Sequence, residues 1–331
     1  MKEFAYDRAP DIPTALALLG DDPDARYLGG GTNLVDLMKT GVERPARLVD
    51  LAALPLDRID RAADGSVHIG ATVTNSDLAV HPDIRRGHPA LTRAVLAGAS
   101  GQLRNMATVG GNLLQRTRCP YFTDLTGPCN KREPGSGCPA VAGEHRHHAV
   151  LGASGHCVAV HPSDLAVALT AFDAQVTYET TDGTGTLPFT DFYLPVGDTP
   201  HRETALPSGA LITGVTLPPP APVTVRSIYR KVRERASYAF AIGSVAAGLD
   251  IEDGIVREVR LALGAVASRP WRAYAAERAL TGRPATATAF AEAADAELAA
   301  AAPLPGNAYK VPLVRNLVVA VLTELAQEAD R

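Results

Sequence analysis

Apolar residues recur along the chain at two spacings, one close to 3.6 and one close to 2, and the elements follow from them. Ile12 to Leu19 has helical spacing behind Asp11, with Pro13 early in the helix where its missing N–H costs little. Ala25 to Leu28 is a short strand running into Gly29-Gly30-Gly31-Thr32-Asn33, after which Leu34, Val35, Leu37 and Met38 predict a short helix ending near Gly41. Arg47 to Leu51 is a second strand. Val67 to Val73 alternates like a half-buried strand, and Asn75-Ser76-Asp77 offers the cap of a helix. Pro89 to Ala99 predicts a buried helix, and Ala107 to Asn112 a small-residue turn between apolar pieces. Residues 115–157 then carry no period, and so long an irregular stretch in a compact domain is usually functional.

The second half is more regular. Pro162-Ser163-Asp164 caps a helix over Leu165 to Phe172, Gln175 to Tyr178 is a strand, and Asp182-Gly183 is a hairpin turn. Leu217-Pro218-Pro219-Pro220-Ala221-Pro222 can neither pair nor coil, and marks a domain boundary. Beyond it come strands near 225–232, 239–250 and 255–264, the last two joined at Asp253-Gly254, then helices near 271–280, 285–301 and 311–328. In the last helix Val314, Leu317, Val318, Val321, Leu322 and Leu325 form one core-facing stripe.

With 331 residues, two domains are expected. A formal net charge of −4 and only 5% aromatic residues argue against nucleic acid as a partner. No apolar run reaches membrane-spanning length. The first residues show neither an apolar signal core nor a twin arginine, which reads as cytoplasmic for this chain alone; a signal on a partner would carry a folded assembly to the periplasm.

Chemistry concentrates in four places. Tyr27-Leu28-Gly29-Gly30-Gly31-Thr32-Asn33-Leu34 removes three consecutive Cβ atoms, so main-chain N–H groups can approach an anion, with Thr32 and Asn33 adding donors. This is not the G-x-G-x-x-G of a Rossmann fold, and a plain tight turn would look the same. Thr108-Val109-Gly110-Gly111-Asn112 repeats the theme. Cys119, Cys129, Cys138 and Cys157 are the only cysteines, and no C-x-x-C pair occurs, which disfavours a zinc ribbon or a thioredoxin-like site. Four thiolates suffice for one iron–sulfur cluster, while single zinc and unligated thiols stay open. His145, His147 and His148 nearby read as a solvated loop. Finally, Lys231 lies in the charged run Tyr229 to Arg235, a solvated face unless a cofactor adjoins it. No acid–base pair or hydrolase motif is visible.

These motifs in this order resemble the FAD-binding medium subunits of molybdenum hydroxylases, the xanthine dehydrogenase family, over nearly the whole chain. The resemblance implies an α+β fold: a two-lobed, non-Rossmann FAD-binding domain of the PCMH/vanillyl-alcohol-oxidase type over 1–220 (lobes about 1–55 and 56–220), then a C-terminal domain of antiparallel sheet and helices over 223–331. It implies that Tyr27, Leu28, Gly29, Gly30, Gly31, Thr32, Asn33 and Leu34 cradle the pyrophosphate, with Thr108, Gly111, Asn112 and Gln115 as a second cradle. Ser163 and Asp164 match residues contacting the adenosine side, Ile212 an apolar position near the flavin, and Lys231 a lysine near the isoalloxazine. The stretch 116–157 looks like the insertion in the FAD subunit of bacterial aldehyde oxidoreductases, where four cysteines hold a [4Fe–4S] cluster. The medium subunit of 4-hydroxybenzoyl-CoA reductase is a poorer match.

The function so implied is electron transfer. A large molybdenum-cofactor partner would oxidise an aldehyde, a small [2Fe–2S] partner would relay the electrons, and this chain would pass them from FAD to an external acceptor. A self-contained flavin oxidase would need a substrate base that the sequence lacks. A non-redox scaffold with structural zinc would hold no flavin.

Overall fold

A computed structural model describes residues 1–329. Among the described residues, twelve strands form three sheets. The first is parallel and small, in the order β1 (Ala5–Arg8), β3 (Arg47–Asp50), β2 (Ala25–Leu28). β1 is missed by periodicity because three of its four residues are exposed and nothing alternates. The helix Ile12–Leu19 joins β1 to β2, and the Asp11 side chain accepts from Thr14 N at 2.8 Å to cap it.

The second sheet has the order β4 (Ile59–Arg61), β5 (Val67–Gly70), β8 (Leu211–Leu217), β6 (Gln175–Thr180), β7 (Gly183–Pro188), every pair antiparallel. Val67 opposes Leu217 although most of the domain lies between them. The β6–β7 turn falls on Thr181-Asp182, with Gly183 opening β7, one residue earlier than the pattern predicts. Helix caps also differ from expectation. Thr74, not Asn75, caps the helix Asn75–Val80. The expected turn at 107–112 is a helix, Val109–Leu113, whose cap Thr108 accepts from Gly111 N at 3.2 Å.

The third sheet is a meander of β9 (Ser227–Val232), β10 (Gly243–Glu252), β11 (Ile255–Gly264) and β12 (Trp271–Arg272). Asp253 and Gly254 take φ of 53° and 75°, as a two-residue hairpin requires. β10 starts at Gly243 rather than near 239, because 233–242 is an irregular loop. One face of this sheet packs on the helices Tyr274–Leu280, Ala287–Leu298 and Lys310–Ala329, where Val314, Val318, Val321, Leu322 and Leu325 are buried and Leu317 only partly so. The other face, through Tyr229, Ala246 and Ala262, shares a core with the helices Pro89–Ala97 and Asp164–Ala171. A Cβ at Gly264 would lie 2.6 Å from Val167, so the helix beginning at Asp164 sits directly on the sheet. That approach brings Asp164 beside Lys231.

Residues 115–157 hold only a short helix, Pro120–Thr123, and a 3-10 turn, Pro139–Val141. Polar side chains replace periodic packing there. Asn130 accepts from Gly137 N at 2.8 Å and donates to His156 O at 2.8 Å. Arg132 donates to the carbonyls of Phe122 and Gly127. Buried main-chain groups must find partners, and here side chains supply them. Among the described residues no helix is long and apolar enough to cross a membrane.

Candidate functional site

Two glycine loops press together at the edge of the first two sheets. A Cβ at Gly30 would fall 1.6 Å from the Met106 carbonyl oxygen, and one at Gly29 would fall 2.7 Å from Thr108 Oγ1. Gly31 takes φ +72°. Side chains are thus excluded from the seam, and a cleft of about 270 Å³ opens beside it. Its walls include Tyr27, Leu34, Leu37, Leu51 and Ile212, with Gly29, Gly30, Gly31, Thr32, Asn33, Thr108 and Gly111 along the seam. Asn33 Oδ1 accepts from Arg116 N at 2.9 Å, while Asn33 Nδ2 is buried without a partner, as is Thr72 Oγ1 on the same wall. Orphaned buried polar atoms are costly, and a polar ligand satisfies them. An apolar cleft with a few convergent polar atoms and bare main chain suits a dinucleotide such as FAD.

The other expected cofactor residues divide. Leu28 belongs to β2 and does not line the cleft. Asn112 Oδ1 accepts from Ser163 Oγ at 2.5 Å and from Gln115 Nε2 at 3.1 Å, so these three form a bridge behind the second loop. Asp164 and Lys231 are a buried ion pair at 2.7 Å. Tyr229 donates to the same carboxylate, and Lys231 Nζ also donates to Ala97 O at 3.2 Å. Burial pushes the Asp164 carboxyl up, and the Lys231 ammonium pulls it back. Ser163 and Asp164 line a second, small pocket with Arg118 and Phe240 rather than the main cleft. Sequence reasoning missed Thr72, Arg26, Glu43 and Arg116 on the cleft wall. Thr72 stands in the alternating run with no mark of its own, and the charged residues come from separate loops.

The four cysteines meet. Cys119, Cys129, Cys138 and Cys157 line one small pocket with Phe122, Lys131 and His156, and all four are free. Burial pushes the Cys119 thiol up to about 11. Cys138 and Cys157 are hydrogen-bonded, which holds Cys138 down at about 6 and drives Cys157 up. Among the described residues no group of three or more His, Cys, Asp or Glu side chains is placed to hold a metal ion. The donor set itself, four soft thiols on one pocket, is of the type that binds iron–sulfur clusters. The reading of His148 as solvated is corrected: it is 4% exposed, its Nε2 lies 3.1 Å from Cys119 Sγ, and burial pulls it down to about 4. The loop folds back under the C-terminal domain, which periodicity cannot register. His147 stays exposed, and His145 accepts from Gly306 N.

Alternating charges join cleft and pocket. Arg116 pairs with Glu43 at 2.6 Å and with Glu203 at 2.9 Å, and Glu203 pairs with Lys131 at 2.6 Å. Against the cost of burial, the Arg116 and Lys131 cations hold Glu203 below the usual carboxylate range.

Comparison with known proteins agrees with this geometry. Residues 2–220 match the FAD binding domain in molybdopterin dehydrogenase, and residues 227–325 match the CO dehydrogenase flavoprotein C-terminal domain. The chain is 50% identical to the aldehyde oxidoreductase FAD-binding subunit PaoB of Escherichia coli (strain K12), over 99% of this chain and 100% of that one. It superimposes on the carbon monoxide dehydrogenase of Hydrogenophaga pseudoflava with a TM-score of 0.76 at 26% identity, covering 97% and 96% of the two chains. A chain of quinoline 2-oxidoreductase from Pseudomonas putida 86 gives the same score at 24% identity, covering 98% of each. The chain belongs to the family of FAD-binding medium subunits of molybdenum hydroxylases, and is an oxidoreductase subunit.

Proposed function

We propose that this chain is the electron-transfer subunit of a heterotrimeric molybdenum aldehyde oxidoreductase, with FAD in the glycine cleft and a [4Fe–4S] cluster on Cys119, Cys129, Cys138 and Cys157. Its partners are a large molybdenum-cofactor subunit and a small [2Fe–2S] subunit, and an external acceptor takes the electrons. The FAD-binding part is 1–220 and the C-terminal domain 223–331. The observation that carries this reading is the meeting of all four cysteines on one pocket, in a chain half identical to an aldehyde oxidoreductase FAD subunit.

Bound FAD supplies the exchange of electrons between one- and two-electron partners; the protein binds, orients and tunes it. Main-chain N–H groups of Gly29 to Thr32 and of Thr108 to Gly111 would hold the pyrophosphate, and Asn33 Nδ2 and Thr72 Oγ1 would find the partners they lack. Leu28 anchors the first loop in the sheet, and Leu34 and Ile212 give apolar contact. Asn112, Gln115 and Ser163 hold the second loop against the helix that carries Asp164. Lys231 is neutralised by Asp164 and does not line the glycine cleft, so the free positive charge expected beside the flavin is not available there. Lys131, facing the cysteines, lowers the cost of gathering thiolates.

Iron, zinc and FAD counted per chain in the anaerobically purified complex test this. About four irons per FAD are expected, and Cys138→Ser should lose iron while keeping FAD. FAD without iron rejects the cluster; zinc without FAD rejects the whole reading.

A further inference from the structure

We infer that His148 is a positioning residue of the cysteine pocket, donating its Nε2–H to the Cys119 sulfur, and that Asn307 and Lys310 of the C-terminal domain hold it there. The inference rests on the cluster reading above and deepens it. His148 Nε2 lies 3.1 Å from Cys119 Sγ. Its Nδ1 is buried without a partner. A neutral imidazole carries one proton, and only the Nε2 side offers an acceptor, so the proton belongs there. His88 makes the contrast: both its ring nitrogens are buried and unpartnered, as in a plain core histidine.

The ring is aimed by its main chain. His148 O accepts from Lys310 Nζ at 3.0 Å and from Asn307 Nδ2 at 3.3 Å. Asn307 also donates to Ala149 O at 3.1 Å, and Lys310 to His147 O at 3.3 Å and to Ala265 O. Asn307 and Lys310 are fully buried. Three carbonyls around a buried ammonium, in place of a carboxylate, make a clamp on the main chain. A hydrogen bond to a ligating sulfur withdraws electron density from the iron and favours the reduced cluster. His148 therefore raises the cluster's potential.

The test is a redox titration of the anaerobically purified complex followed by electron paramagnetic resonance, after iron is counted. His148→Leu should keep iron and FAD while the reduced-to-oxidised ratio at fixed potential falls about tenfold, a downward shift of about 59 mV for a one-electron couple. His148→Gln returns an N–H near the Nε2 position and should restore the potential. Lys310→Met touches no sulfur and should lower the potential by less. His148→Leu with full iron and an unchanged potential overturns the inference. If His148→Leu sheds iron, His148→Gln decides: iron and potential of the native complex uphold the role, and a lowered potential overturns it. An unchanged potential in Lys310→Met overturns the clamp. A native complex without iron overturns the cluster reading and the inference with it, and no variant is needed to see that.

Discussion

The glycine cleft and the cysteine pocket lie on either side of Arg116, Glu203 and Lys131, and they are built by opposite means. The cleft is made by removing side chains. Gly29, Gly30 and Gly31 let main chain meet main chain at Met106 and Thr108, at the ends of regular elements. The pocket is made by adding them. Asn130, Ser136, Arg132 and His148 hold an irregular loop in place of strand or helix, and the thiols sit where those bonds put them. A site of the first kind fails when anything is inserted. A site of the second kind fails when a staple is removed.

The largest effect should come from Gly30→Ala. Its methyl would collide with the Met106 carbonyl, so the loops must part. We expect loss of FAD and of about 3 kcal/mol of stability, read from flavin content and urea unfolding. A variant that keeps its flavin breaks the main-chain account of the cleft. Next, Lys231→Met strands the Asp164 carboxylate in a buried site, where both side chains are under 10% exposed. Breaking such a pair costs about 3 kcal/mol, and adding Asp164→Asn should recover much of it in a double-mutant cycle.

Acid acts on the core between the two regions and the C-terminal sheet, through His88 against Phe172. His88 is buried and held at about 4 by desolvation, against 6.5 when unfolded. Between those values the unfolded chain binds the extra proton, so stability falls as pH drops from 6.5 towards 4. The loss reaches about 3 kcal/mol. His88→Leu should flatten that limb in urea midpoints measured against pH, and burial of His148 and His161, each also held at about 4, carries part of the acid sensitivity left over. The smallest effect, about 1 kcal/mol, is expected for Glu203→Gln, because its ion pairs are partly exposed. It should disturb flavin and iron content together. A change in only one of them breaks the bridge.

How far the sequence could be read follows the same division. The three glycines, the cap at Ser163, the meander with its Asp253-Gly254 turn and the stripe of the last helix are local signals, and the structure has each of them. The family resemblance likewise rests on local motifs. Long-range partners left no such trace. Nothing near Ser163 says that its hydroxyl bonds Asn112, and nothing near Lys231 says that its charge is spent on Asp164. His148 reads as solvated from the sequence for the same reason, since its environment comes from Asn307 and Lys310. β1 was missed because an exposed strand of four residues carries no period.

The clamp on His148 also sets an order of events during synthesis. Lys310 acts on a carbonyl 162 positions before it. Every cysteine and both glycine loops leave the ribosome long before Asn307 and Lys310, the two residues that bond the His148 carbonyl. The His148 carbonyl therefore stays without these two donors until the last helix docks.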